Sequence, residues 1–475
     1  MAKYLHLFRL AAPCWPHFVL FIILGLPFGA HSNELPDSVN RALKDAGISS
    51  SGVAVVVQSV EADKPIIRYN AQQSLNPAST MKLLTTYSAL ELLGPAYTWK
   101  TEALANTSAV KGVLSGNLYL RGSGDPKMML EQFWLLLRQL RARGISEIAG
   151  DLVLDRSAFS VPLHDAAEFD NEPLRPYNAG PDALLVNLKS IRLTLLAPSG
   201  NRNAQVLSET PGDDLRIDNR LQLTQDVCSN WREKLKIKVS GSTIELSGGY
   251  PTSCGEKALY LSPWSANTQV EQLFRSLWRE LGGTLRGKVR EGLTPVNARN
   301  LTSIDSPALS EVVRDINKFS NNVMARQVFL TLAAQRPATA EGARQRINGW
   351  LNEKNLKIPE LVMDNGSGLS RTERISADGL SQLLLAAWKS PVMPELMSSL
   401  PVAGIDGTMK KRLGNGAAAG RAHLKTGYLE NVRAIAGYVL DSNDKRWVVV
   451  FLINDPKSRN GKPAMDELLR WVAEH

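Results

Sequence analysis

The pattern of apolar residues at the start of the chain is interrupted by two other patterns and reappears near its end. This order most constrains how the chain can fold. Up to about residue 98, and again after residue 300, apolar helices alternate with buried strands. Between these parts, short alternating strands bracket a helix, and residues 186–262 are rich in strands and contain two of the three cysteines. An insertion inside another insertion is the simplest account of this nesting. We therefore expect the two ends of the chain to build one domain.

The first end segment predicts a hairpin followed by a helix. Residues 52–57 (GVAVVV) and 65–69 (PIIRY) flank a polar turn, which is typical of paired strands in a mostly buried sheet. Asn76 is a suitable N-cap, the proline after it suits the first helical position, and an apolar run then continues until Gly94. Ser79 is thereby predicted to lie in the first turn of a buried helix.

The second end segment predicts helices, a polar break and a pair of strands. An apolar helix face ends at Ser320, where the polar break precedes another apolar run, and a further helix covers residues 376–388. A strand is predicted to open at Lys425 and to run to Leu440. The turn at residues 441–445 would join it to RWVVVFLIND as an antiparallel pair.

The segment Ser79-x-x-Lys82 places an amine one helical turn from a hydroxyl, on the same helix face. A lysine that is partly desolvated and has cationic neighbours can have its pKa lowered to about 7–8, which lets it act as a base. The spacing alone is weak, because Ser442-x-x-Lys445 matches it in a hairpin turn with no helix to align the pair.

Two further motifs follow at a distance. Ser320-Asn321-Asn322 lies in the polar break between two apolar helices, as the edge of a cleft requires, although three other Ser-x-Asn segments match the pattern. Lys425-Thr426-Gly427 occurs once, and its glycine would let a substrate backbone approach closely.

Each motif also has an ordinary structural interpretation. Ser79 could simply begin a helix, Asn322 could be a capping residue, and Lys425 could be a solvated strand end. The order of the three motifs, in matching helix, loop and strand contexts, favours a catalytic role. A Ser-His-Asp set is disfavoured, since His164 and His423 do not lie in a G-x-S-x-G context.

Together these motifs make the chain similar to a known family. It resembles the penicillin-recognising serine enzymes, and specifically the class C low-molecular-mass penicillin-binding proteins, which are D-alanyl-D-alanine carboxypeptidase/endopeptidases of the penicillin-binding protein 4 type. Ser79 and Ser320 lie 241 positions apart, far more than in a β-lactamase. The resemblance covers essentially the whole chain after its first 32 residues and includes NPASTMKLLTTYSALELLG, RGSGDP, DNGSGLSR and AGIDGTMKKR.

The resemblance implies an α/β (α+β) fold in which helices flank an antiparallel sheet, with two nested inserted domains. The predicted boundaries are 33–98 with 300–475 for the penicillin-recognising domain, 99–185 with 263–299 for the first insertion, and 186–262 for the nested insertion.

The resemblance also implies the chemistry. Ser79 would attack the carbonyl between two terminal D-alanines with Lys82 as general base, and Ser320 would relay a proton. Asn322 would hold the substrate amide, Lys425 and Thr426 would bind the terminal carboxylate, and Gly427 would be a further substrate-binding residue. The backbone N–H groups of Ser79 and Tyr428 would form the oxyanion hole. Water would hydrolyse the acyl-enzyme, so no metal or cofactor is required.

By likeness, four further residues line the rim of the cleft. Asp155 is expected to meet the free amine of a diamino acid in the substrate, with Phe159 as an apolar wall. Arg371 and Glu430 are expected to face the cleft, where Glu430 would either add a second carboxylate or pair with Arg371. The alternatives are a structural aspartate at a strand end and a solvated glutamate.

Residues 1–32 predict an export signal. Two basic residues precede an apolar run at 18–26, which is well short of the roughly 20 residues that a membrane span needs, and small residues follow it. Cleavage would fall after Ala30 or Ser32, and an uncleaved anchor is the alternative. The predicted location is the periplasm or cell-wall space, with peripheral membrane association at most.

In an exported chain, Cys228 and Cys254 predict one disulfide, with two unpaired thiols as the alternative. A zinc site would need nearby His or Cys partners that the sequence does not supply. The 55 Lys and Arg residues exceed the 46 Asp and Glu residues, for a net charge of +9. Because no block of five or six like charges occurs, we expect no nucleic-acid partner.

The partners implied by the resemblance are peptidoglycan stem peptides, with β-lactams as covalent inhibitors. Two other functions stay open at this point. A serine β-lactamase would share the motifs, although the large insertion and the lack of an obvious deacylating glutamate argue against it. A peptidoglycan-binding module without catalysis would keep the cleft, and the intact motifs argue against that. The sequence does not separate carboxypeptidase from endopeptidase activity.

Overall fold

The computed structural model describes residues 34–475, so the predicted export signal lies outside the described residues. This part of the chain forms ten α-helices: α1 (Asp37–Asp45), α2 (Lys82–Leu93), α3 (Leu130–Ala142), α4 (Ala266–Glu280), α5 (Leu309–Phe319), α6 (Asn322–Thr331), α7 (Ala340–Glu353), α8 (Ala377–Trp388), α9 (Met393–Ser399) and α10 (Lys462–Glu474).

The same part of the chain contains twenty strands: β1 (Val53–Ser59), β2 (Ile67–Tyr69), β3 (Lys100–Ala105), β4 (Ala109–Val110), β5 (Val113–Leu114), β6 (Leu118–Gly122), β7 (Glu147–Ile148), β8 (Leu152–Asp155), β9 (Ile191–Leu196), β10 (Gln205–Ser208), β11 (Arg216–Thr224), β12 (Leu235–Ser240), β13 (Thr243–Pro251), β14 (Lys257–Leu261), β15 (Thr284–Leu285), β16 (Val289–Glu291), β17 (Arg299–Asp305), β18 (Ala422–Leu429), β19 (Val432–Leu440) and β20 (Arg446–Asn454).

We call the part of the structure that is built from the two ends of the chain the outer domain. It contains one antiparallel sheet with the strand order β18-β19-β20-β1-β2. All seven residues of β1 are buried, and they alternate between two cores. Val53, Val55 and Val57 face a core that includes α1 and α10, whereas Ala54 and Val56 face a core that includes α2, α5 and α8. Both faces of the sheet are therefore covered by helices, which confirms the predicted fold class.

The strand predicted to run from Lys425 to Leu440 is wrong in one respect. The segment is a hairpin, in which β18 and β19 pair antiparallel and Leu429 lies opposite Val432. Asn431 takes a left-handed conformation at φ 60°, which asparagine tolerates better than most residues. No glycine marks this two-residue turn, so the apolar run on both sides of it resembles a single strand. Lys425 lies in the middle of β18 instead of at its start.

The first inserted region carries a five-stranded sheet, β16-β8-β6-β3-β17, and a four-stranded sheet, β15-β7-β5-β4, whose shared core includes α3 and α4. Strand β17 pairs antiparallel with β3 and ends at Asp305. The predicted boundary at residue 299 therefore falls inside a paired strand, and the domain boundaries stay predictions.

The nested region, residues 191–261, contains β9 to β14 in two three-stranded sheets, β10-β9-β14 and β11-β13-β12. Their side chains form a separate core that includes Cys254. Cys228 and Cys254 are joined in a disulfide, as predicted. Two unpaired thiols are thereby excluded.

None of the helices in residues 34–475 is long and apolar enough to cross a membrane. No group of three or more His, Cys, Asp or Glu side chains in this range could hold a metal ion.

Candidate active site

Ser79 lies in a 3₁₀ turn, Ala78–Met81, that leads directly into α2. Asn76 holds this turn, because its Oδ1 accepts the N–H of Ala78 at 2.9 Å while its amide donates to the Ser370 carbonyl at 2.9 Å. The side chain of Asn76 thus caps the turn as predicted, although Pro77 is the residue that directly precedes it. Ala78 has a positive φ of 46°, a conformation that costs free energy and that surrounding contacts must hold.

Two glycines let neighbouring segments approach this turn closely. A Cβ at Gly368 would lie 2.0 Å from the Ala78 carbonyl oxygen, and one at Gly427 would lie 2.8 Å from the Pro77 carbonyl oxygen. Any side chain at these positions would push the loop at 364–371 or strand β18 away from Ser79. The close approach at Gly427 is therefore to the turn that carries Ser79.

Lys82 is the first residue of α2 and is fully buried. Its Nζ lies 3.1 Å from Ser79 Oγ and 2.6 Å from Asn322 Oδ1, and it also donates to the carbonyl of Ser367. A neutral amine has two N–H groups and one lone pair. Because the amide and carbonyl oxygens can only accept, they take both N–H groups, and the lone pair is left facing the Ser79 hydroxyl.

The pKa of Lys82 lies well below its ordinary value. Burial is the largest cause, and the nearby charge of Lys425 lowers the pKa further. Glu373 acts in the opposite direction and raises it, and Arg326 lowers it. The net effect favours the neutral amine that a general base needs.

The three residues of the second motif have different roles. Ser320 ends α5 in a left-handed conformation at φ 56°, and Asn321 caps α6 by accepting the N–H of Met324 at 3.0 Å. The capping role that sequence alone allowed for Asn322 therefore belongs to Asn321. Ser320 and Asn322 are left to contact the two lysines, Ser320 at 2.8 Å from Lys425 and Asn322 as described above.

The third motif supplies a second buried amine. Lys425 is fully buried, and its Nζ donates to Ser320 Oγ and to the Thr426 carbonyl, each at 2.8 Å. Burial lowers the pKa of Lys425 to about 7. The hydroxyl of Thr426 lies 2.8 Å from that of Thr408, a contact that the sequence did not predict. Lys425 is thus not the solvated strand end of the alternative interpretation.

Tyr428 follows the third motif and stays 58% exposed. The Arg433 guanidinium lies 3.9 Å from the centre of its ring. The contact fixes the aromatic side chain at the mouth of the site while its backbone continues β18.

Glu373 is a residue that the sequence reasoning missed. It is fully buried, and its Oε1 accepts the backbone N–H groups of Asp364, Asn365 and Gly366 at 3.3, 3.1 and 2.9 Å. It thereby shapes the loop whose Ser367 carbonyl holds Lys82. Burial raises the pKa of Glu373, and the backbone donors oppose that shift. Because its partners are backbone groups, no spacing of side chains in the sequence identifies it.

Asp155 lies at the end of β8, and its side chain is buried. Asp155 is 2% exposed, and its two carboxylate oxygens accept the N–H groups of Ser157 at 3.0 Å and Thr294 at 2.8 Å. Those hydrogen bonds lower its pKa against the opposing effect of burial. The position fits the structural aspartate of the alternative interpretation. Phe159 is likewise buried in the outer-domain core, with its ring against Gly124, and does not form an exposed wall.

Arg371 connects the rim of the site to the first inserted region. Its guanidinium donates to the Phe169 carbonyl at 3.0 Å and lies 4.9 Å from the centre of the Phe169 ring. Arg371 also lies 3.8 Å from Glu430 in an exposed ion pair. Of the two arrangements considered for Glu430, the structure therefore has the one in which it pairs with Arg371.

The sequence and the fold both match known proteins. A family model described as the D-Ala-D-Ala carboxypeptidase 3 (S13) family matches residues 35–474. The D-alanyl-D-alanine carboxypeptidase of Actinomadura sp. (strain R39) is 28% identical over 428 residues, which cover 86% of this chain and 79% of that protein. The D-alanyl-D-alanine carboxypeptidase DacB of Haemophilus influenzae is 25% identical over 452 residues, which cover 92% and 91%.

A crystal structure of penicillin binding protein 4 from Haemophilus influenzae has a similar fold, with a TM-score of 0.78 and 22% identity. The match covers 93% of this chain and all of that one. A second structure of that protein contains a β-lactam and matches with a TM-score of 0.73 at 22% identity, over 92% of this chain and all of that one.

Proposed function

The chain belongs to the D-Ala-D-Ala carboxypeptidase 3 (S13) family, and we propose that it is a serine-type D-Ala-D-Ala carboxypeptidase that acts on peptidoglycan stem peptides through an acyl-enzyme. The observation that carries this proposal is the environment of Lys82. Two acceptors that cannot donate hold its N–H groups, and its third position faces Ser79.

In the first step, Ser79 Oγ attacks the carbonyl between the two terminal D-alanines, and its proton moves to Lys82 Nζ. The backbone N–H groups of Ser79 and Tyr428 stabilise the oxyanion, and such preorganised donors typically contribute about 10²–10³-fold each. The amide of Asn322 has its oxygen on Lys82, so its NH₂ group is left to hold the substrate amide.

Collapse of the tetrahedral intermediate breaks the C–N bond. The proton held by Lys82 passes through the hydroxyl of Ser320 to the leaving amine, which departs as free D-alanine. Lys425 and Thr426 bind the carboxylate of that residue. Water then attacks the ester carbonyl and gives its proton to Lys82, which returns it to Ser79 Oγ as the acid product leaves.

Mass spectrometry after exposure to penicillin tests the nucleophile. Opening of the β-lactam ring should leave an adduct on Ser79, and Ser79→Ala should carry none. Ser442, whose spacing to Lys445 is the same, is the internal control. An adduct on another residue, or no adduct in the wild type, contradicts the proposal. Rapid release of hydrolysed penicillin would identify a β-lactamase instead.

The alternative of a binding module without catalysis is tested by product formation. The wild type should release D-alanine from a stem pentapeptide, and binding without release would contradict the carboxypeptidase assignment. Digestion of purified peptidoglycan then separates the two activities, since an endopeptidase also yields uncrosslinked fragments.

The proposed location is outside the cytoplasmic membrane, in a periplasm or cell-wall space. The disulfide between Cys228 and Cys254 supports this, because such bonds persist in oxidising compartments. Sequencing the amino terminus of protein collected from that compartment should find a start at His31 or Asn33. An intact Met1 would contradict the proposed cleavage.

A further inference from the structure

A groove of about 580 Å³ lies between the inserted regions and the second catalytic motif. We call it the side groove, and its lining includes Tyr177, Arg192, Glu209, Tyr260 and Phe319. Ser320 and Asn322 also line it, so the side groove is continuous with the catalytic residues. Its size lies within the range of about 300–1,000 Å³ that is typical of ligand sites.

Exposed aromatic side chains are concentrated here. Among residues 34–475, four aromatic side chains are exposed, and three of them line the side groove: Tyr177 at 38%, Tyr260 at 48% and Phe319 at 65%. The fourth, Tyr428, lies at the active site. Exposed rings that gather in one groove indicate a binding surface, since a folded chain otherwise buries such large apolar groups.

The polar groups of the side groove are fixed and carry little net charge. Arg192 and Glu209 form an ion pair at 2.7 Å. The hydroxyl of Tyr177 donates to Asp170 at 2.8 Å, which holds its ring in place. Thr210 accepts the N–H of Arg192 at 2.9 Å. The surface therefore combines rigid apolar rings with hydrogen-bonding groups and suits a neutral ligand that has both C–H faces and polar edges.

We propose that the side groove binds the neutral, N-acetylated amino-sugar chain to which a peptidoglycan stem peptide is attached. Sugar rings present C–H faces to aromatic side chains, and hydroxyl and amide groups to polar ones. A second stem peptide fits less well, because its carboxylates would meet Glu131 and an arginine that Glu209 already neutralises. This inference rests on the proposed function, since it assigns a part of the same substrate.

The length of the stem peptide agrees with this placement. Four residues separate the sugar from the scissile bond, and an extended chain spans about 3.3–3.6 Å per residue. Asn322 lines the side groove and shares Lys82 with Ser79, so a peptide of this length can connect a sugar chain in the groove with Ser79. The wall that includes Tyr260 belongs to the nested region, which gives that insertion a role in substrate binding.

The test compares two substrates that share one pentapeptide. One is the free pentapeptide, and the other carries an N-acetylated amino-sugar disaccharide at its amino end. Tyr260→Ala should lower kcat/KM for the sugar-linked substrate by about tenfold and leave kcat/KM for the free peptide unchanged. Tyr260→Phe keeps the ring and should retain the wild-type value. Val227→Ala, at an exposed site in the nested region outside the groove, is the control.

An equal loss on both substrates, or no loss on either, overturns the proposal. Binding of peptide-free sugar chains to the Ser79→Ala variant, measured by calorimetry, does not depend on catalysis. In that background Tyr260→Ala should weaken the Kd about tenfold. If sugar chains do not bind, or if free stem peptide displaces them, the side groove is not a sugar site. Failure to hydrolyse the free peptide would contradict only the carboxypeptidase assignment.

Discussion

The two motif lysines of the outer domain and Lys234 of the nested region lie in opposite environments. Lys82 and Lys425 are fully buried, and neither forms a salt bridge within residues 34–475. Lys234 in the nested region lies at the surface, 2.7 Å from Asp226. Burial without a carboxylate partner lowers the pKa of both outer-domain lysines.

The difference shows that the fold, more than the motif, makes a lysine into a base. Ser442 and Lys445 have the same spacing as Ser79 and Lys82, but Lys445 lies in an exposed turn with its ammonium over the Trp447 ring at 4.9 Å. Exclusion of water from the amine therefore distinguishes Lys82 from Lys445, although the spacing to a serine is the same.

The largest expected effect removes the base. Lys82→Ala should lower kcat for D-alanine release by about 10²–10⁴-fold, because general base catalysis is lost. Lys234→Ala is the matched control in the nested region and should leave kcat within about twofold of the wild type. A similar loss in both variants would remove the contrast between the two regions. Steady-state kinetics on a stem pentapeptide measures both.

The disulfide should act on the nested region alone. Replacing Cys228 and Cys254 with alanine should lower the free energy of unfolding of that region by about 3 kcal/mol, since the bond closes a loop of 26 residues. Urea unfolding followed by Trp231 fluorescence measures this, and kcat on the free peptide should stay unchanged. A matching loss of kcat would show that the two regions are coupled.

The buried pair of lysines predicts a pH profile with two limbs. Activity requires a neutral Lys82 and a charged Lys425. The acid limb therefore reports the protonation of Lys82, and on the alkaline limb kcat/KM should fall as Lys425 loses its proton above its pKa of about 7. Lys425→Arg keeps a positive charge at all working pH values and should move the alkaline limb to higher pH. An alkaline limb that stays in place would assign it to another group.

A smaller effect is expected for Glu373→Gln. Glu373 raises the pKa of Lys82, so its replacement should shift the acid limb of kcat/KM to lower pH. Loss of the shaped loop should also lower kcat by about tenfold, as for other positioning residues. Glu341→Gln, an exposed glutamate on α7, is the control. If the acid limb does not move, Glu373 is neutral and acts only through the loop.

The three motifs could be predicted because their residues are close in sequence and because their order is specific. The structure brings Ser79, Lys82, Asn322 and Lys425 together as expected, and Ser320 joins them through Lys425. What the sequence could not supply depends on three-dimensional packing. Asp155 has the expected position in the chain, but the backbone N–H groups of the neighbouring Ser157 and of the distant Thr294 occupy its carboxylate.

The sequence predicts the class of the fold but not all of its strand boundaries. The hairpin turn at Glu430-Asn431 lacks the glycine that usually marks such turns, so β18 and β19 were expected as one strand. Strand β17 crosses the predicted boundary at residue 299, because its pairing with β3 spans about two hundred residues, which local patterns do not register. Glu373 could not be predicted for a different reason: its partners are nearby main-chain groups, which no pattern of side chains identifies.

The pairing of β1 with β20 has a consequence for how the chain becomes active. Val53 lies opposite Ile453, so the central part of the outer sheet joins residues from nearly opposite ends of the chain. Contacts this distant in sequence form slowly, whereas the sheets of the nested region join strands that are close in sequence. During synthesis, the insertions can therefore fold before β20 has emerged. The catalytic groups on α2 and β18 meet only when the last strands arrive, which delays hydrolysis until the whole chain has been delivered.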